Sequence, residues 1–219
     1  MSFSVGIFDL FSYAIPGFVY VFIVNEILKL TNISQLDMFK MNEATTIVIL
    51  TGLAYIAGIL LSRVAKQWYL LWVRKSMEAE ALQFVIKHHP DIHNEFKQPD
   101  WPIIFSAIKR DHFELYNQIN REKALSVMLY NLSFGFLLFS LLEAFYFIYY
   151  QNAAYLLVCA GTLIASILAL NLSRSHTMWF YREIFEQGLF YGHSLEALLN
   201  KVRAGSADEP ANKTKRKTA

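Results

Sequence analysis

Between Glu43 and Arg63 the chain runs for nineteen residues, ATTIVILTGLAYIAGILLS, without a charge. At about 1.5 Å per helical residue, that stretch matches the ~30 Å hydrocarbon thickness of a bilayer. A second run of nineteen, ALSVMLYNLSFGFLLFSLL, lies between Lys123 and Glu143, and no further charge follows Glu143 until Arg174. That interval leaves room for another helix from Ala153 to Leu172, with Gln151 and Asn152 as the turn before it. The uncharged run from Leu10 to Asn25 is shorter, at sixteen residues, and holds Pro16 and Gly17, which remove a backbone bond and favour a kink. It too is read as a span. The pattern therefore predicts four membrane helices, near 8–30, 43–65, 124–150 and 153–173. Met1 to Leu10 lack the basic residues of a cleaved signal peptide and carry Asp9, so the first helix is expected to be retained.

The polar segments continue the helical pattern. Gln67 to Lys87 holds strong helix formers and no Gly or Pro, which predicts that the second span extends as one long helix until Pro90. A turn-rich stretch, HHPDIHNEFKQPDWP, follows, with Asp100 as N-cap and Pro102 in the first helical turn. Ile104, Ile108, Leu115 and Ile119 then recur at near-helical spacing and predict an unbroken run into the third span at Ala124. Ser173 to Leu189 extends the fourth span, with Met178, Phe180, Ile184 and Phe185 as packing residues. Ser194 reads as the N-cap of a short helix, Leu195 to Val202, ending at Gly205. The fold class is all-α, a polytopic membrane protein with four transmembrane helices and a cytoplasmic helical bundle made by extensions of the spans. Its segments are a first transmembrane hairpin, 1–66, a cytoplasmic helical hairpin, 67–123, a second transmembrane hairpin, 124–173, C-terminal helices, 174–205, and a solvated basic tail, 206–219.

Composition supports the membrane class and removes others. Apolar residues are 55% of the 219 and charged residues 17%, with 18 Phe and 12 Tyr, which excludes a disordered chain. One cysteine, Cys159, excludes an internal disulfide and a zinc site built on several thiolates. The net charge of +2 divides unevenly. The middle segment holds ten Lys and Arg and the C-terminal tail eight, so eighteen of the twenty fall on one side, leaving Lys29 and Lys40. Because basic connections stay inside, this predicts an inner-membrane protein with both termini cytoplasmic. Trp68, Trp72 and Trp179 then sit just past the cytoplasmic ends of their spans, and Phe145 to Tyr150 forms the outer aromatic belt. The inner side carries +5 and the remainder −3.

Two carboxylates, Glu26 and Glu143, interrupt the spans at a similar depth near the outer leaflet. In a ring of subunits they would line a negative constriction, as acidic rings do in cation pores, while the plainer reading has them reach water or stand neutral and hydrogen-bonded. Two stripes of small residues at four-residue spacing, Ala54, Gly58, Ser62 and Gly161, Ala165, Ala169, predict close helix packing, within a subunit or between subunits. His88, His89, His93 and His112 cluster with Asp91, Glu95 and Asp111, but Pro90 breaks the helix that would align His89 with His93 and no HExxH is present, so no metal site is assigned. The sequence holds no P-loop, GxGxxG or GxSxG, and no Arg is followed by His at the spacing of helical ribonucleases, so neither an enzyme nor a cofactor is expected. Arg74, Lys75, Arg110, Arg121, Lys123, Arg174 and Arg182 fit anionic membrane lipid. They equally offer a pocket for a nucleotide or oligonucleotide, with Trp68, Trp72, Trp101 or Tyr181 for base stacking. Asn32-Ile33-Ser34 matches a glycosylation acceptor, a pattern too short to weigh alone.

Four spans, minimal outer loops, a helical inner part and the opening FDLFSYAIPGFVYVF together resemble the small membrane effectors of bacterial anti-phage defence systems. The resemblance covers about residues 1–203 and has no diagnostic motif, so no functional residue is carried over from it. It implies a homo-oligomeric channel that a cytoplasmic signal opens or holds shut. The alternative from the residues is a non-conducting anchor or scaffold that recruits a soluble partner protein. A transporter subunit is the weaker third reading, since four helices without repeats give no midplane substrate site.

Overall fold

The computed structural model describes residues 7–30, 44–73, 76–89, 97 and 100–190. Among them are six α-helices: α1 (Ile7–Leu30), α2 (Ala44–Trp72), α3 (Met77–His88), α4 (Trp101–Asp111), α5 (Phe113–Tyr150) and α6 (Ala153–Phe190). The chain is all-helical, and α1, α2, α5 and α6 each contain a segment long and apolar enough to cross a membrane. The segment around Arg74 and Lys75, the predicted helix at 195–202 and the tail at 206–219 lie outside the described residues.

The chain divides into two compact units. The first comprises residues 1–74 and 121–177 and so holds α1, α2 and most of α5 and α6. Here Pro16 stands fully buried inside an unbroken α1, where its missing N–H leaves the Ser12 carbonyl without a helical donor. Next to it, a β-carbon on Gly17 would lie 1.7 Å from the Ala54 carbonyl oxygen, and one on Gly58 would lie 2.0 Å from that of Tyr13. The absence of side chains at these two glycines is what lets the α1 and α2 backbones touch, one helical turn apart. At the other end of the unit a two-residue turn joins α5 to α6. Gln151 takes a left-handed conformation (φ 50°), its N–H bonded to Phe147 O at 2.8 Å, and Asn152 caps α6 by accepting from Ala154 N at 3.0 Å. Tyr146, Tyr150 and Tyr155 surround this turn with ring centroids 5.4–6.0 Å apart.

The second unit comprises residues 75–120 and 178–219. Its core takes Ala81 and Val85 from α3, Ile104 and Ile108 from α4, Ile119 from α5, and Phe180, Ile184 and Phe185 from α6. Ile104, Ile108, Ile119, Ile184 and Phe185 are fully enclosed, each worth roughly 1.5–3 kcal/mol of burial. Aromatic edges tighten this core, with Phe105 and Phe180 5.5 Å apart and Trp101 and Tyr181 5.4 Å apart.

Two predicted continuous helices are broken. The second span does not run through to Lys87. It ends at Trp72, with the Val73 N–H on Tyr69 O at 2.9 Å, and a separate helix begins after Ser76. Ser76 is extended (φ −65°, ψ 114°), and its hydroxyl accepts from Ala79 N at 3.4 Å, while Glu78 and Glu80 occupy the first turn. A capping serine followed by acids in the first turn stabilises a helix N-terminus at this point. Replacing Ser76 by Ala is expected to lower stability by about 1 kcal/mol, read as a lower thermal midpoint in detergent. The second break falls at His112, which leaves the helical conformation (φ −137°, ψ 74°) between α4 and α5. Asp100 and Pro102 do mark the start of α4, but Asp100 Oδ2 accepts from Lys97 N at 2.6 Å instead of capping α4.

Candidate functional site

Along α5, Ser126, Ser133 and Ser140 stand seven residues apart, and along α6 so do Cys159, Ser166 and Ser173. A seven-residue repeat keeps one helix face against a partner, and small polar side chains on that face let the backbones come close. The structure pairs the two rows antiparallel. Ser126 Oγ donates to the Ser173 carbonyl at 3.1 Å, and Ser173 Oγ returns a bond to the Ser126 carbonyl at 3.0 Å. Ser166 Oγ donates to the Ser133 carbonyl at 2.8 Å and lies 3.1 Å from Ser133 Oγ. Ser140 Oγ donates to the Cys159 carbonyl at 3.1 Å. All five serines are buried, so each rung satisfies their hydroxyls within the chain.

Other polar side chains join this ladder. Thr177 Oγ1 lies 2.6 Å from Ser126 Oγ and accepts from the Tyr69 hydroxyl at 3.1 Å. The Trp68 indole donates to Ser133 Oγ at 3.3 Å, and Tyr20 donates to the Asn131 carbonyl at 2.7 Å. Glu122 Oε2 and His176 Nδ1 meet at 2.6 Å, with Arg121 3.6 Å from the other oxygen of Glu122. Trp68 is thus engaged with a helix partner, and Trp101 and Tyr181 meet edge-on where they pack against the core of the second unit, Tyr181 donating to Glu78 at 3.0 Å. All three rings are half-buried and already hold contacts within the chain.

Within the chain, the four-residue stripe on α6 does not form one packed row. A step of four residues advances about 40° beyond a full helical turn, so such a stripe drifts across the helix face. Gly161 faces outward, where an added β-carbon would meet nothing within 4 Å, Ala165 is half-buried, and Ala169 reaches the seam. On α2, Ala54 and Gly58 are buried against α1, and Ser62 is half-buried, 3.5 Å from the Tyr130 hydroxyl.

Glu26 lies on α1 and Glu143 on α5, helices that meet where Tyr146, one turn beyond Glu143, reaches the Glu26 backbone carbonyl. Glu26 is held by Lys29 at 2.7 Å, and its backbone carbonyl lies 3.5 Å from the Tyr146 hydroxyl. Glu143 is only 7% exposed. A carboxylate so enclosed is costly in an apolar setting.

The predicted ligand residues fall in different places. Arg121, Lys123 and Arg174 are exposed in the first unit, and Arg110 and Arg182 belong to the second. Arg110 grips Asp111 at 2.7 and 2.9 Å, which holds that exposed carboxyl below the usual carboxylate range. The Arg182 guanidinium stacks 3.4 Å above the Phe84 ring and lies 3.8 Å from Glu186. His88 stacks on Phe84 at 4.0 Å, His89 and His112 cap α3 and α4, and His93 lies outside the described residues. Among the described residues no group of three His, Cys, Asp or Glu could hold a metal ion. An open groove of about 490 Å³ lies over Asp111, His112, Phe113, Glu114, Leu115 and Gln187.

No family, curated protein or solved structure matches this chain.

Proposed function

We propose that the chain is a homo-oligomeric membrane channel or pore-forming effector, gated by a signal on its cytoplasmic side and serving bacterial defence. The observation that carries the reading is the enclosed Glu143, one turn from the α5 residue that reaches Glu26, inside a unit of four apolar helices. Intramembrane carboxylates are expensive and are retained mainly where ions or protons are handled. The surplus of Lys and Arg in the middle segment and the tail supports an inner-membrane orientation with both termini cytoplasmic. On that side, Arg110, Arg121, Lys123, Arg174 and Arg182 offer guanidinium and ammonium groups to anionic lipid or to a nucleotide or oligonucleotide signal. Neither an enzymatic activity nor a cofactor is part of the proposal.

Purified protein in planar bilayers is expected to pass cation current, and Glu143→Gln and Glu26→Gln are expected to reduce its cation preference. Unchanged selectivity in both variants would remove the acid pair from the pathway. Absence of current under every nucleotide tested, with retained binding of a soluble protein, would leave the non-conducting anchor or scaffold instead.

A further inference from the structure

Asn131 of α5 is fully enclosed, yet its amide is only partly satisfied. Nδ2 donates to Ser62 Oγ at 3.4 Å, and Oδ1 has no partner among the described residues. Ser62 Oγ is in turn 3.5 Å from the Tyr130 hydroxyl. Both contacts lie beyond the usual lengths of N–H···O and O–H···O bonds, so three polar side chains from α2 and α5 face one another with slack between them. The Asn131 backbone is not the cause, because its carbonyl already accepts from Tyr20 at 2.7 Å. Rotating the amide end for end would exchange the unpaired oxygen for unpaired N–H groups and leave the deficit as it was. A buried amide group in that condition costs its full desolvation unless something small and polar reaches it.

We infer that Asn131, Ser62 and Tyr130 hold one ordered water molecule, which donates to Asn131 Oδ1 and completes the hydrogen bonding of the two hydroxyls. Buried waters bind where two to four polar groups converge, and this cluster supplies three. A metal cation does not suit the site, because all three groups are neutral and none offsets the lost hydration of an ion. The inference concerns hydration of the helix seam and stands independently of whether the chain conducts.

Radiolytic footprinting tests it, because hydroxyl radicals formed from a bound water oxidise the side chains that touch it. Purified native protein is expected to show oxidation at Tyr130, and Asn131→Leu is expected to remove it while the exposed Tyr149 stays oxidised as before. Monodisperse elution in detergent checks that the variant is folded. Should Asn131→Leu fail that check, Ser62→Ala withdraws a second water partner and is expected to give the same loss. No oxidation of Tyr130 in the native protein, or equal oxidation in the folded variant, would overturn the site.

Discussion

Gly58→Ala and Gly17→Ala are each expected to destabilise the protein by about 3 kcal/mol or more, beyond the ordinary range for overpacking, because the new atom meets backbone. At Gly58 the added carbon would stand 2.0 Å from the Tyr13 carbonyl oxygen, and at Gly17 it would stand 1.7 Å from that of Ala54. A flexible side chain could swing aside from such a clash, whereas a helical carbonyl moves only with its helix. The α1 and α2 axes must therefore separate, and the packing along their whole contact is lost with them. Against a total stability of roughly 5–15 kcal/mol, either substitution is expected to leave much of the protein aggregated on extraction, seen as a void-volume peak in size exclusion. Gly52 and Gly161 supply the control, since an added β-carbon at either meets nothing within 4 Å. Alanine there is expected to be neutral or to stabilise by up to about 1 kcal/mol, the difference in helix propensity. Equal thermal midpoints for Gly58→Ala and Gly161→Ala would mean that α1 and α2 do not approach as described.

The spans themselves were legible because a bilayer imposes a length: the uncharged windows around Ile47–Leu61 and Ala124–Leu142 leave few alternatives to helices of about twenty residues. The Gln151–Asn152 turn was legible for the same reason, as the polar pair in an otherwise apolar run. The ends of α2 at Trp72 and of α4 before His112 were not, since no Gly or Pro marks either. Ser76 with Glu78 and Glu80 carried a capping signal that helix propensity masked, and nothing around His112 in the sequence explains its conformation. The acid pair was half legible. Glu26 and Glu143 stood out as charges in apolar runs, but their position on neighbouring helices is a tertiary fact that one sequence does not carry. The serine ladder was written in the sequence at seven-residue spacing and was missed in favour of a four-residue stripe. On α6 the small residues Gly161, Ala165 and Ala169 stand out more than the serines, yet their row leaves the packed face within two steps.

Ser166→Leu puts that ladder to its strongest test. Ser166 is 1% exposed, and its hydroxyl donates to the Ser133 carbonyl at 2.8 Å, so the side chain lies directly against the α5 backbone. Ser166→Ala removes the hydroxyl and keeps the close approach, and its expected cost is that of one interhelical hydrogen bond in a membrane, about 0.6–1.7 kcal/mol. Leucine removes the same bond and adds three carbons where there is no space for them, a further ~1–3 kcal/mol. The added volume also acts on the neighbouring rungs, because Ser126 with Ser173 and Ser140 with Cys159 share the seam and the Gln151–Asn152 turn prevents α6 from sliding to a new register. Ser166→Leu is therefore expected to be markedly less stable than Ser166→Ala in thermal unfolding. A double-mutant cycle of Ser133→Ala with Ser166→Ala should give a coupling energy of about 0.6 kcal/mol, from the 3.1 Å contact between the two hydroxyls, since the carbonyl bond survives Ser133→Ala. The same cycle between Ser133 and outward-facing Leu168 should give none. If Ser166→Leu proves as stable as Ser166→Ala, α5 and α6 do not meet along the serine row, because a buried backbone contact cannot accept an isobutyl group without separating the helices.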